Sequence, residues 1–183
     1  AGWEGVNRGE VEADPGYAEA RCNLGVLLKN GRKGMDGAEA AYRTAIAADR
    51  GCAKANINLG VLLENAGEDI DGAEAAYRAA VAADPGHANA RSNLGILLKH
   101  ERKDIDGAEA AYRAAIAADP GYAVAHFNLG VLLKNERKDI DGAEAAYRTA
   151  IAADPGCANA HFNLGVLLEN AREDIHGSDA AYH

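Results

Sequence analysis

Asn-Leu-Gly recurs at Asn23, Asn58, Asn93, Asn128 and Asn163, and the string Asp-Gly-Ala-Glu-Ala-Ala-Tyr-Arg begins at Asp36, Asp71, Asp106 and Asp141, a period of 35 residues. A unit that short cannot enclose a core of its own, so a chain built this way folds by stacking each unit on the next. Units run over 14–48, 49–83, 84–118, 119–153 and a truncated 154–183. Residues 1–13 read as a divergent partial repeat or cap, because Gly2, Glu4, Arg8 and Val11 align with their equivalents further on while Trp3 occupies an alanine slot.

Each unit carries two helical patterns. Asp14-Pro15-Gly16 is expected to open the first helix, with the carboxylate accepting from free amides and proline fitting the first helical position. Ala20, Leu24, Leu27 and Leu28 then fall at spacings of four, seven and eight and gather on one face as core. Gly25 interrupts that helix at a cost of about 1 kcal/mol relative to alanine, and its recurrence in every unit points to close approach by another backbone. The second helix is expected to start at Asp36-Gly37-Ala38-Glu39, an acidic cap followed three residues later by glutamate. Ala38, Ala41, Tyr42, Ala45 and Ile46 form its buried stripe, and Glu39 precedes Arg43 by four on the solvated side.

Leu24-Gly25-x-x-Leu28, Ala38-x-x-x-Tyr42 and Pro85 eight residues after Tyr77 resemble the tetratricopeptide repeat signature over residues 14 to 183. The resemblance implies an all-α fold: a right-handed superhelical solenoid of antiparallel helix pairs whose first helices line a concave groove. The period exceeds the family's usual 34 by one residue, placed in the turn between the helices. The aromatic common near the start of the first helix is replaced by Arg21, Asn56, Arg91, His126 and His161, which makes those positions wetter.

Composition narrows the partners. Lys and Arg total 19 against 28 Asp and Glu, and the net charge of −9 repels a polyphosphate backbone, so no nucleic acid is expected. No stretch approaches the length of a membrane span, and the first residues have neither a basic start nor an apolar run, so no membrane contact is expected. Cys22, Cys52 and Cys157 are odd in number and lack metal or redox spacing, which fits free thiols in the cytoplasm. His126 and His161 share a repeat slot, but the spacing of adjacent helices is too wide for one zinc ion. The Asp-Ile-Asp-Gly string lacks acidic ligands where a calcium loop needs them, Arg102 and Arg113 standing there instead. With no nucleophile, phosphate loop or cofactor motif, the chain is read as having no catalytic activity and no cofactor.

Beside the core face of the first helix, Glu19, Cys22, Asn23, Val26 and Asn30 form a second stripe, and Asn135 holds the Asn30 slot of the fourth unit. The columns that vary most between units lie on it: Tyr17/Cys52/His87/Tyr122/Cys157, Glu19/Lys54/Asn89/Val124/Asn159 and Cys22/Ile57/Ser92/Phe127/Phe162. Asn23, Asn58, Asn93, Asn128 and Asn163 are identical against that background. A side-chain amide both donates and accepts, so this line can pair with the backbone of an extended peptide; alternatively it ties neighbouring turns together. Similar asparagine ladders occur in the repeat region of O-linked N-acetylglucosamine transferase. The expected peptide-binding face comprises the five asparagines with Lys54, Ile57, Tyr122, Val124, Phe127, Phe162 and Asn135, its C-terminal half the more apolar. Clamps for a C-terminal carboxylate, as in some family members, are not expected, because Val26, Val61, Ile96, Val131 and Val166 fill the slot such clamps give to asparagine. The expected role is a scaffold for a protein or peptide ligand. The alternatives are a substrate-recruiting region of a larger enzyme, such as a glycosyltransferase, and a homo-oligomer formed through exposed array ends.

Overall fold

The computed structural model describes residues 15–29, 32–67 and 69–181, and among them every regular element is helical. The order is α1 (Pro15–Leu28), α2 (Arg32–Ala48), α3 (Ala53–Ala66), α4 (Ile70–Ala83), α5 (Ala88–Leu97), α6 (Ile105–Ala118), α7 (Ala123–Leu132), α8 (Ile140–Ala153) and α9 (Ala158–Ala181). Odd and even helices pair within a unit, each even helix packs on the next unit's odd helix, and successive odd helices also touch. That is a solenoid of antiparallel helix pairs. The expected partial repeat at 1–13 lies outside the described residues.

In each of the first four units one ring holds the helix pair together. Tyr42, Tyr77, Tyr112 and Tyr147 are almost completely buried, and each lies across the mid-helix glycine of its own unit. A Cβ on Gly25, Gly60, Gly95 or Gly130 would stand 2.4 to 2.7 Å from the tyrosine Cε1. The expected close approach is present in the first four units, where the approaching group is an aromatic ring rather than a backbone, whereas no described atom lies within 4 Å of a Cβ on Gly165. Around the rings, Ala38, Ala73, Ala108 and Ala143 are fully buried, so small side chains let the helices close on the tyrosine.

In the first unit α1 opens at Pro15, as expected, while the other helix starts lie later or earlier than the sequence pattern implies. In the later units Asp-Pro-Gly is a turn. The Asp84, Asp119 and Asp154 amides close the preceding helix on Ala80, Ala115 and Ala150, while their carboxylates accept from Gly86, Gly121 and Gly156 at 2.9 to 3.0 Å. The first helix begins only at Ala88, Ala123 and Ala158. Asp49-Arg50-Gly51 makes the same turn without proline, because the aspartate's bond to the amide two residues on supplies the closure. The second helix is capped two residues earlier than expected: Asp69, Asp104 and Asp139 accept from Gly72, Gly107 and Gly142 at 2.8 to 2.9 Å. Asp71, Asp106 and Asp141 sit inside the first turn, where negative charge favours the helix dipole.

The turn within a unit is built in two ways. In the second unit α3 ends at Gly67, whose φ of 71° lets its N–H close on Leu63 and Glu64. In the third and fourth units the helix widens into a π turn over Leu98–Arg102 and Leu133–Arg137, ending on Lys103 and Lys138 at φ 58° and 57°. The fifth unit departs from the expected pair, since α9 runs unbroken from Ala158 to Ala181. No helix among the described residues is long and apolar enough to cross a membrane.

Candidate peptide-binding face

The odd helices bring the five asparagines into a line, Asn23 exposed and the others half-buried. Four of them are engaged with protein neighbours. Asn58 donates to Cys22 Sγ of the preceding unit at 3.5 Å and Asn128 to Ser92 Oγ at 3.4 Å. Asn93 faces Ile57 in that slot, which accepts nothing, and donates instead to Asn89 Oδ1 one turn back at 3.2 Å. Asn23 accepts from Lys54 Nζ of the next unit at 3.1 Å. Where an acceptor is available one unit earlier, the ladder residue ties the units together through one N–H and keeps a second N–H and the carbonyl oxygen.

This geometry corrects the reading of the third variable column as groove surface. Cys22 and Ser92 are fully buried and Ile57 is 8% exposed, packed on Ala80 and Ala90. The column lies beneath the following unit's first helix, so its variation belongs to inter-unit packing. Burial accordingly pushes the Cys22 thiol up from its ordinary pKa. Phe127, in the same column, is half-buried with its ring centroid 6.1 Å from that of Tyr147, whereas Phe162 is 71% exposed. Unlike its counterparts, it has no described first helix following it.

The other expected residues divide similarly. Lys54 and Val124 are exposed, the latter by 46%. Tyr122 is half-buried, and its hydroxyl accepts from Asn89 Nδ2 of the preceding unit at 3.0 Å. Asn135 is exposed, but stands on the π turn after α7 and so lies off the straight run of the ladder. Asn30 lies outside the described residues.

Two sets of ties, one within units and one between them, went unanticipated in the sequence. Arg91 reaches Pro85 O through two nitrogens at 3.0 and 2.6 Å, while ring nitrogens of His126 and His161 stand 2.9 and 3.1 Å from Pro120 O and Pro155 O. These residues fill the slot of the family's aromatic and seal the junction at the Asp-Pro-Gly turn. At the opposite edge, Arg102 bonds Glu74 Oε2 at 2.8 Å and also Asp71, and Arg137 bonds Glu109 Oε2 at 2.9 Å and also Asp106. Glu74 simultaneously accepts from Arg78, and Glu109 from Arg113. The guanidinium of Arg78, then that of Arg102, holds the Glu74 carboxyl below its ordinary range, and Arg137 leads the same effect on Glu109. The only available signal was the recurrence of Arg102 and Arg137 one period apart; Arg102, together with Arg113, argued merely against a calcium loop.

A solenoid of paired helices that exposes a continuous lining of side chains defines a protein-interaction scaffold. The tetratricopeptide repeat family matches residues 26–88, 66–123, 100–139 and 132–174, and the chain belongs to that family. Among solved structures, MamA is 25% identical with a TM-score of 0.67, over 84% of this chain and 81% of that one. The pilF protein of Pseudomonas aeruginosa aligns at 23% identity and a TM-score of 0.75, over 87% of this chain and 71% of its own. YrrB, described as a TPR protein with an unusual peptide-binding site, aligns at 24% identity and 0.63, over 85% and 78%. Comparison with curated proteins gives no match.

Proposed function

We propose that the concave face binds an extended peptide of a protein partner, with the asparagine ladder pairing to its backbone. The observation that carries this reading is the division of labour within two of the ladder amides. Asn58 and Asn128 use one N–H on Cys22 and Ser92, which fixes the side chain and leaves a donor and an acceptor for a ligand. A peptide backbone repeats donor and acceptor along its length, so a row of such amides holds it without reading its side chains. Val124 and Phe162 add apolar surface toward the C-terminal half. The peptide-binding site ascribed to YrrB is compatible with this use of the fold.

The same reading assigns the chain no catalytic role, and burial pushes the Cys22 thiol and the repeated tyrosine hydroxyls up from their ordinary pKa values. Each backbone hydrogen bond contributes about 1 kcal/mol. Replacing Asn93, Asn128 and Asn163 together by alanine therefore weakens a captured peptide by about a hundredfold with helicity retained. Unchanged affinity in the folded triple variant excludes the ladder as the binding element. A second reading, association of copies end to end, draws on Leu27 and Phe162, 76% and 71% exposed in the first and last units. Light scattering that finds a monomer at all concentrations excludes it.

A further inference from the structure

The repeats supply their own template for a site on the rim of the array. At two successive junctions an arginine from the intra-unit turn crosses to an acidic pair on the preceding second helix. Arg102 bridges Asp71 and Glu74, and Arg137 bridges Asp106 and Glu109. In each case one glutamate oxygen receives the arginine of its own helix and the other receives the crossing guanidinium.

The first junction has the acidic pair and lacks the arginine. Asp36 and Glu39 stand one period before Asp71 and Glu74, but the residue one period before Arg102 is Gly67. Arg43 occupies Glu39 Oε1 at 2.8 Å, as Arg78 does on Glu74. No described residue bonds the second Glu39 oxygen or the Asp36 carboxylate. A cavity of about 550 Å³ opens at this place, walled by Met35, Leu62, Leu63 and Ala66 and edged by the two acids. A Cβ placed on Gly67 would meet nothing within 4 Å. The Glu39 side chain is 36% exposed, against 19% and 20% for Glu74 and Glu109 beneath their arginines.

We infer that this cavity receives an arginine side chain from a partner protein, its guanidinium seated on Asp36 and Glu39 as Arg102 and Arg137 are seated at the next two junctions. The planar fork suits two carboxylates at once, and the apolar walls accept the methylene stem. An ammonium offers a point charge without that fork, so lysine is the poorer occupant. The site lies at the edge formed by the intra-unit turns and does not depend on the ladder binding a peptide.

The test is an NMR titration of the full chain with N-acetyl-arginine amide, in parallel with its citrulline and lysine counterparts. Arginine is expected to shift the amides of Asp36, Glu39, Ala66 and Gly67 saturably, and citrulline to leave them unmoved. The double substitution Asp36→Asn and Glu39→Gln is expected to weaken binding about fivefold or more. Arg102→Ala is expected to uncover a second site, with new shifts at Asp71 and Glu74, and serves if the double variant fails to fold. Equal shifts from lysine or citrulline overturn the proposal. So does binding at Asp71 and Glu74 in Arg102→Ala without binding at Asp36 and Glu39.

Discussion

The junction between the first and second units and the junction between the second and third share one core and differ at both edges. In each, a buried tyrosine lies over a glycine and small alanines close around it. At the later junction Arg91 seals the Asp-Pro-Gly edge by bonding Pro85 O, and Arg102 fastens the opposite edge to Asp71 and Glu74. At the earlier one the corresponding residues are Asn56, which turns back to Cys52 O, and Gly67, which has no side chain. Cavities of about 560 and 550 Å³ open at those two edges. The core sets the stacking of units, and the edges set how open each junction is.

If the core is common to both, removing it costs the same in both places. Tyr77→Ala and Tyr112→Ala are each expected to destabilise the chain by about 3–5 kcal/mol in chemical denaturation, as large-to-small substitutions at fully buried aromatic positions do. Tyr77 loses in addition its hydroxyl's bond to Glu64 Oε2 at 2.7 Å, worth about 1 kcal/mol. A gap between the two variants much larger than that breaks the claim of a shared core.

The core was legible in the sequence because its signals are local. Leu24 with Gly25, and Ala38 with Tyr42, lie within a turn or two of each other, and recurrence fixed both period and register. The identity of the group over Gly25 was not legible, since a ring and a backbone demand the same missing Cβ. Helix starts were ambiguous where two aspartates stand two residues apart: Asp69 and Asp71 are equally good caps by type, and only geometry selects Asp69. The edges were least legible. Arg102 and its partners Glu74 and Asp71 are 28 and 31 residues apart, a separation that no helical periodicity reports. The column of Cys22, Ile57 and Ser92 varied as a binding surface varies, yet it is buried beneath the next unit.

Arg102→Ala tests the edge directly. Its guanidinium bonds Glu74, whose side chain is only 19% exposed, so the expected loss of stability is smaller than that of a core change. Amide exchange across the second junction is expected to rise to the rate of the first. Acid makes the same cut without mutation. Glu74 and Glu109 have folded-state pKa values below the ordinary 4.5, so the networks stabilise the fold above that pH. The contribution disappears as the pH falls through the lowered values. Arg102→Ala is expected to reduce the Glu74 share of that dependence without abolishing it, because Arg78 stays in place, and an unchanged profile removes the network from the account of junction stability.

The smallest effect is expected at Asn56, where the comparison can be run in reverse by giving the open junction the seal of the later ones. In Asn56→His the imidazole is expected to reach the carbonyl of Arg50, which holds the place of Pro120 beneath His126, and to occupy part of the 560 Å³ cavity bounded by Ile46 and Leu59. The exchange leaves no orphaned carbonyl behind, because Cys52 O continues to accept the backbone N–H of residue 56 at 3.2 Å. Filling a cavity and adding one hydrogen bond typically stabilise by about 0.5–1 kcal/mol, which appears as a higher denaturant midpoint at constant slope. A lower midpoint in Asn56→His means that the backbone of this junction, and not the length of residue 56, holds the edge open.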